Sequence, residues 1–187
     1  MSLPQRDEQH HTYGEYLQWP DDRRYELIDG VAYAMTPAPT RRHQEVLLEI
    51  ARQVANALLH HACKAFIAPF DVRLPKGDEA DEQVDTVVQP DLSVVCDPDK
   101  LDERGCRGAP DWVVEVLSPA TASHDHRLKR AVYERAGVPG LRHLTWGRAG
   151  TCSENRREYV HVSSTSASLP PKFSEQVPAP LFNSLCH

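Results

Sequence analysis

At 187 residues the chain has room for one domain of ordinary size with a core that is stable without staples. Its 40% hydrophobic and 26% charged residues exclude a disordered or fibrous protein, and no apolar run approaches the roughly 20 residues of a membrane helix. A net charge of -6 provides no global basic field, so any phosphate chemistry must rest on a local site, a bound cation or an oligomer.

The start, "MSLPQRDEQHHTYGEYLQ", lacks a basic segment followed by an apolar one, so a secretory signal is not expected and the cytoplasm is the default. Thr12 and Glu15 have the spacing of a capping box, and a short helix is expected to run from there toward Pro20. "RYELIDGVAYAM" reads as two strands around Asp29 and Gly30, a dipeptide suited to a two-residue hairpin because both central positions need positive φ. From His43 to about His61, Val46, Leu47, Ile50, Val54, Ala57 and Leu58 recur at helical spacing.

"KAFIAPFDVRLP" reads as a strand pair or a bent strand broken at Pro69, and "KGDEADEQVD" as a solvated loop. "VVQPDLSVV" and "DWVVEVL" are the central strands, with the polar "DPDKLDERGCRGAP" between them. "HDHRLKRAVYERAG" is a helix with Gly137 as its C-terminal cap. The order predicts an α/β or α+β domain round a mixed sheet. A domain over 1–149 is expected, followed by a poorly specified tail over 150–187 that is rich in serine and proline. Five cysteines, odd in number and without a C-x-x-C pair, argue for reduced thiols and against a finger-type zinc site.

Two acids sit where charge is costly. Asp91 heads the run "LSVV", and in an alternating strand Glu115 shares its face with Val113 and Leu117. An unpaired carboxylate there would cost several kcal/mol, roughly, unless protonated, paired or bound to a cation. If the two strands are neighbours, Asp91 and Glu115 converge, and two or three oxygen ligands plus waters suit Mg²⁺. The alternative is that Asp91 caps a turn after Pro90 and Glu115 pairs with a basic residue. The two readings weigh about equally on spacing alone.

Lys129 lies one turn into the following helix, where it could reach a phosphate or a water. Asp125, Lys129 and Tyr133 share a face there, and the bland alternative is a surface ion pair of Asp125 with Lys129. Glu26 is either a third metal ligand or an edge charge. His43, near the start of the long helix, is a possible phosphate or substrate contact, because the free amides there favour an anion.

Five ordered stretches, "RYELIDGVAYAM", "PAPTRRHQEVLLEIA", "VVQPDLSVVCDP", "GAPDWVVEVLSPAT" and "DHRLKRAVYERAG", together resemble the Uma2 family within the PD-(D/E)XK nuclease superfamily. The resemblance covers roughly residues 12 to 139. It implies a restriction-endonuclease-like core, a mixed β-sheet flanked by α-helices, with Mg²⁺ or Mn²⁺ at one sheet edge. On that reading Asp91 is the first acid of the superfamily motif and Glu115 the second. The motif lysine would fall at Leu117, and Lys129 is the relocated candidate. Catalytic Asp91, Glu115 and Lys129, metal ligands Asp91, Glu115 and Glu26, and His43 as the substrate contact are then expected. The family follows this helix with an aromatic and aliphatic strand ending in aspartate and proline, and "VPGLRHLTWGRAG" departs from that pattern.

The function implied is metal-dependent endonucleolytic hydrolysis of nucleic acid, DNA in the first instance, by a homodimer. The alternative is a catalytically inactive restriction-endonuclease-like module for binding or dimerisation, which the acidic charge favours. An acid and base pair acting on a glycosidic bond would need aromatic platforms near Glu115, and none cluster there.

Overall fold

The computed structural model of the protein describes residues 6–7, 9–20, 24–35, 38–117, 125–148 and 158–164, with side chains described except at 6–7, 125–127, 142–148 and 158–164. Three helices, α1 (Tyr13–Tyr16), α2 (Arg41–Ala57) and α3 (Asp125–Arg135), accompany two sheets among these residues. One sheet holds β1 (Arg6–Asp7), β2 (Tyr25–Ile28), β3 (Val31–Ala34), β5 (Val72–Arg73), β6 (Val87–Val88), β8 (Leu101–Asp102) and β9 (Gly105–Arg107), in the order β1-β3-β2-β6-β5-β9-β8. The other holds β4 (Lys64–Ile67), β7 (Leu92–Val95), β10 (Trp112–Leu117), β11 (Gly140–Arg148) and β12 (Glu158–Ser164), in the order β12-β11-β10-β7-β4. Both sheets mix parallel and antiparallel pairs. The class is α+β, as the element order predicts.

Strand β10 carries the alternation expected of it. Trp112, Val114 and Val116 pack with Leu92, Val94 and the apolar stripe of α2, Val46, Leu47, Ile50, Val54 and Leu58. Burying each of those aliphatic side chains contributes about 1.5–3 kcal/mol before chain entropy is subtracted, which fixes α2 on this face. On the opposite face Val113 joins Val132 and Tyr133 of α3 and Val72, Val88 and Cys106 of the first sheet. Glu115 belongs to this second face by its parity in the strand. The two sheets and α3 therefore meet where that carboxylate points.

Local chemistry explains most boundaries. Asp29 and Gly30 have φ of 51° and 78°, as the two-residue turn between β2 and β3 requires. Helix α2 begins at Arg41, two residues before the expected start, because the Thr40 side chain accepts a hydrogen bond from the amide of His43. After α3 the amide of Val138 donates to the carbonyl of Tyr133, and Gly137 takes φ of 75°, which closes the helix as expected.

Several expectations are corrected. The capping box at Thr12 does not form: Glu15 instead bonds the His11 ring at 3.0 Å, and α1 is a single turn. "VVQPDLSVV" is not one strand, because Pro90 carries no amide hydrogen, and the chain passes there from β6 in one sheet to β7 in the other. The polar segment after Asp97 holds the antiparallel pair β8 and β9, and Gly105 is needed there because a Cβ would sit 2.2 Å from the Asp71 carbonyl oxygen. Cys63 and Cys96 are not reduced but joined in a disulfide. Lys64 pairs with Val95, so the preceding and following cysteines lie opposite one another in an antiparallel ladder. Cys106 is a buried free thiol, as expected of a structural cysteine.

"VPGLRHLTWGRAG" nonetheless supplies a core strand. β11 runs parallel to β10 from Gly140 opposite Trp112 to Thr145 opposite Leu117. A Cβ at Gly140 would meet the Trp112 ring at 2.4 Å, so the glycine admits the indole. Within the segment expected to be a tail, Glu158–Ser164 pairs antiparallel with β11, and the remainder of 150–187 lies outside the described residues.

Candidate active site

Strands β7 and β10 are antiparallel neighbours, with Leu92 opposite Val114, so Asp91 stands directly beside the Glu115 segment. The join is also chemical: Asp91 Oδ2 accepts a 2.7 Å hydrogen bond from the Val116 amide. Asp91 Oδ1 lies 3.2 Å from His43 Nε2, so α2 reaches the same carboxylate from its first turn.

Glu115 is 4% exposed. Its Oε1 accepts a 2.6 Å bond from the Tyr133 hydroxyl and lies 3.2 Å from Lys129 Nζ. Both donors come from α3, four residues apart, and therefore project from one face of the helix. Lys129 Nζ also lies 2.8 Å from Glu26 Oε1 on β2. That oxygen accepts a 2.8 Å bond from the Gln89 amide, two residues before Asp91. The cluster thus gathers β2, β7, β10, α2 and α3.

Two carboxylates, Glu26 and Glu115, flank one ammonium, a third, Asp91, stands on the neighbouring strand, and the charges respond. Burial pushes the Glu115 carboxyl up to about 7 against the pull of Lys129, with Asp91 and Glu26 adding to the rise. Burial opposes charge on Lys129 too, but Glu115 and Glu26 outweigh it and hold its pKa above the ordinary value. Burial raises the Tyr133 hydroxyl, so it stays a donor. The hydrogen bond to Asp91 raises His43 above its ordinary value, although burial opposes this. Asp91, Lys129 and His43, with side chains 19%, 15% and 14% exposed, are all partly open to solvent, whereas Glu115 is closed in.

The structure brings together all five residues singled out in the sequence: Asp91, Glu115, Lys129, Glu26 and His43. The pairing of Lys129 with Asp125 concerns a side chain outside the described residues. Sequence reasoning placed Tyr133 on the right helical face but gave it no part. It placed Gln89 in the strand "VVQPDLSVV" and gave it no part, since its partners are distant in sequence.

Among the described residues no group of three or more His, Cys, Asp or Glu side chains is arranged to hold a metal ion. The donor chemistry nonetheless suits a hard cation bound by few protein ligands: Mg²⁺ takes one or two carboxylates and keeps several waters. Asp91 and Glu115 supply those, and the excess of negative charge favours a cation. Glu26 lies on the Lys129 side, with its Oε1 already shared between the ammonium and an amide.

Comparison with known proteins agrees with this fold. One solved structure, a putative nuclease belonging to DUF820 from Anabaena variabilis, superposes with a TM-score of 0.56 over 93% of this chain and 98% of that one, at 18% identity. The core is therefore restriction-endonuclease-like. An uncharacterised protein of Synechocystis sp., slr1290, is 29% identical over 157 residues, which is 83% of this chain and 70% of that protein. The family Uma2, described as "Putative restriction endonuclease", matches residues 13–141, from the start of α1 into β11, and the chain belongs to that family.

Proposed function

We propose that the protein is a Mg²⁺- or Mn²⁺-dependent endonuclease that hydrolyses phosphodiester bonds of nucleic acid, DNA in the first instance. The observation that carries the reading is the gathering of Asp91, beside the Val116 amide, with the buried Glu115 and its partner Lys129 from three separate segments. Two carboxylates beside a fixed ammonium, in a family described as "Putative restriction endonuclease", are parts suited to this hydrolysis.

Asp91 and Glu115 would hold the cation, which when bound polarises the scissile phosphate and lowers the pKa of its water. Asp91 is kept in place by the Val116 amide, so its carboxylate is oriented before any ligand arrives. Glu115 presents Oε1 to Lys129 and Tyr133, which fixes the carboxylate plane. Lys129 offsets charge growing on the phosphate oxygens or orients the attacking water. Glu26 holds that ammonium from the far side. His43, whose Nε2 lies 3.2 Å from Asp91 Oδ1, would stand beside an arriving phosphate.

A second reading, a silent module that keeps the fold, is favoured by one observation: Lys129 already has two carboxylate partners and needs no ligand to be satisfied. Titrating Mn²⁺ against thermal stability separates the two, because a ligand that binds the native state raises the midpoint. The nuclease reading expects a midpoint that rises with Mn²⁺ for wild type and much less for Asp91→Asn. An equal response from both would favour the silent module.

A further inference from the structure

The mechanism above leaves unused the polar groups that lead outward from Glu26. Gln89 is 6% exposed, yet its polar groups are engaged. Its amide N–H donates to Glu26 Oε1, its Nε2 donates to Asp71 Oδ1 at 2.7 Å and to the Tyr16 hydroxyl at 3.3 Å, and its Oε1 accepts from Arg24. Arg24 donates to that one oxygen through both Nε, at 3.1 Å, and Nη2. A buried side chain anchored by Asp71 and Tyr16, on a backbone held by Glu26, is thus the seat of the exposed Arg24.

The seat is close to the acid cluster. The Arg24 carbonyl accepts from the Met35 amide, which continues the β2 and β3 ladder by one pair. Arg24 and Glu26, two apart on extended chain, therefore lie on one face. Gln89 in turn precedes Asp91 by two residues.

The bonding leaves the charge in use. Gln89 is a neutral acceptor, so holding Arg24 does not cancel its positive charge. With Nε and one Nη2 hydrogen committed, the Nη1 hydrogens and the second Nη2 hydrogen remain on the fork, which matches phosphate oxygens. A chain of net charge -6 with three carboxylates at its site repels a polyanion, and a fixed cation beside that site offsets the repulsion where a backbone must approach.

We propose that Arg24 is a phosphate-binding residue, fixed by Gln89, that seats a backbone phosphate of a nucleic-acid strand next to the phosphate held over Asp91 and Glu115. The identity of the ligand rests on the nuclease reading.

The test is fluorescence anisotropy with labelled duplex DNA, single-stranded DNA and RNA of one sequence. Titrations are run without metal and with Ca²⁺, across a range of KCl, with cleavage in Mn²⁺ followed separately. Arg24→Ala should weaken Kd about tenfold, the size of one charge-assisted contact, and make the slope of log Kd on log salt shallower by about 0.9. Arg24→Lys should keep the slope and recover part of the affinity. Gln89→Met, which leaves the charge but removes its acceptor, should lose affinity without losing slope. Wild type and Arg24→Ala binding all three nucleic acids with the same Kd and slope would overturn the proposal. Binding that depends on Arg24 without any cleavage would uphold the phosphate site while removing hydrolysis, and failure of wild type to bind any of the three would overturn both.

Discussion

The Lys129 ammonium lies 3.2 Å from the Glu115 carboxylate across 14 positions of sequence. The helix after the strand carries the cation back to the acid. Because Lys129 leans on Glu26 as well, its charge is fixed by two elements rather than one.

This relationship predicts a split between binding and chemistry. In Lys129→Met the carboxylates lose their ammonium, and the remaining negative charge should bind Mn²⁺ at least as tightly as wild type by calorimetry. Cleavage should fall roughly a hundredfold, the usual scale for one electrostatic stabiliser. Loss of metal binding together with cleavage would show that Lys129 merely supports the fold.

The raised Glu115 carboxyl predicts a pH dependence. Its folded pKa, about 7, lies above the ordinary 4.5, so the fold favours the protonated acid. The contribution is complete below the ordinary value and is lost as pH rises through about 7. Metal-free wild type should therefore lose on the order of 2–3 kcal/mol relative to Glu115→Gln between pH 5 and pH 8. Melting curves across that window check this, and Mn²⁺ should stabilise wild type more at pH 8 than at pH 5.5. Parallel curves for the two proteins would contradict the burial of an ionisable Glu115.

Away from the site, Arg73 is fully buried with its guanidinium between Asp81 and Asp102. Asp102 Oδ1 and Oδ2 take Nη2 at 2.7 and 2.8 Å, and these bonds keep Arg73 charged against its burial. Asp81→Asn with Asp102→Asn would remove both carboxylates bonded to a buried cation and should cost about 3 kcal/mol or more. Each single change should cost well under half of that, since the other carboxylate remains. Denaturant unfolding of the three variants measures the coupling.

Gly105 has φ of 128° and faces the Asp71 carbonyl oxygen. Gly105→Ala combines a disfavoured backbone region with a backbone clash and should cost about 2 kcal/mol or more. The same change at Gly137, where nothing lies within 4 Å, should cost only the φ strain of about 1 kcal/mol. Thermal melts of the pair compare the two directly.

The features that were legible in the sequence are those with local periodicity. Alternation in "WVVEVL" and the helical stripe of Val46, Leu47, Ile50 and Val54 identified both faces of β10, and an acid on the buried parity marked the site. The spacing of Lys129 and Tyr133 placed both on one helical face. What escaped depends on contacts distant in sequence. Arg73 read as an ordinary strand residue because only the fold brings Asp81 and Asp102 to it. Gln89 read as one more residue of the strand "VVQPDLSVV" because its partners, Arg24, Tyr16 and Asp71, lie between 18 and 73 positions away. "VPGLRHLTWGRAG" departs from the aromatic and aliphatic strand expected there, yet β11 pairs with β10 where Gly140 makes room for Trp112. The Cys63 and Cys96 bond follows from a strand register that spacing alone does not reveal.

The most direct measurement is cleavage of plasmid DNA, single-stranded DNA and RNA with Mg²⁺ or Mn²⁺, comparing wild type with Glu115→Ala and Lys129→Ala. A metal-dependent nuclease whose site is this cluster should cut at least one substrate only with metal, and both variants should lose that activity while remaining folded. Absence of cutting by wild type, or cutting unchanged in both variants, would contradict it.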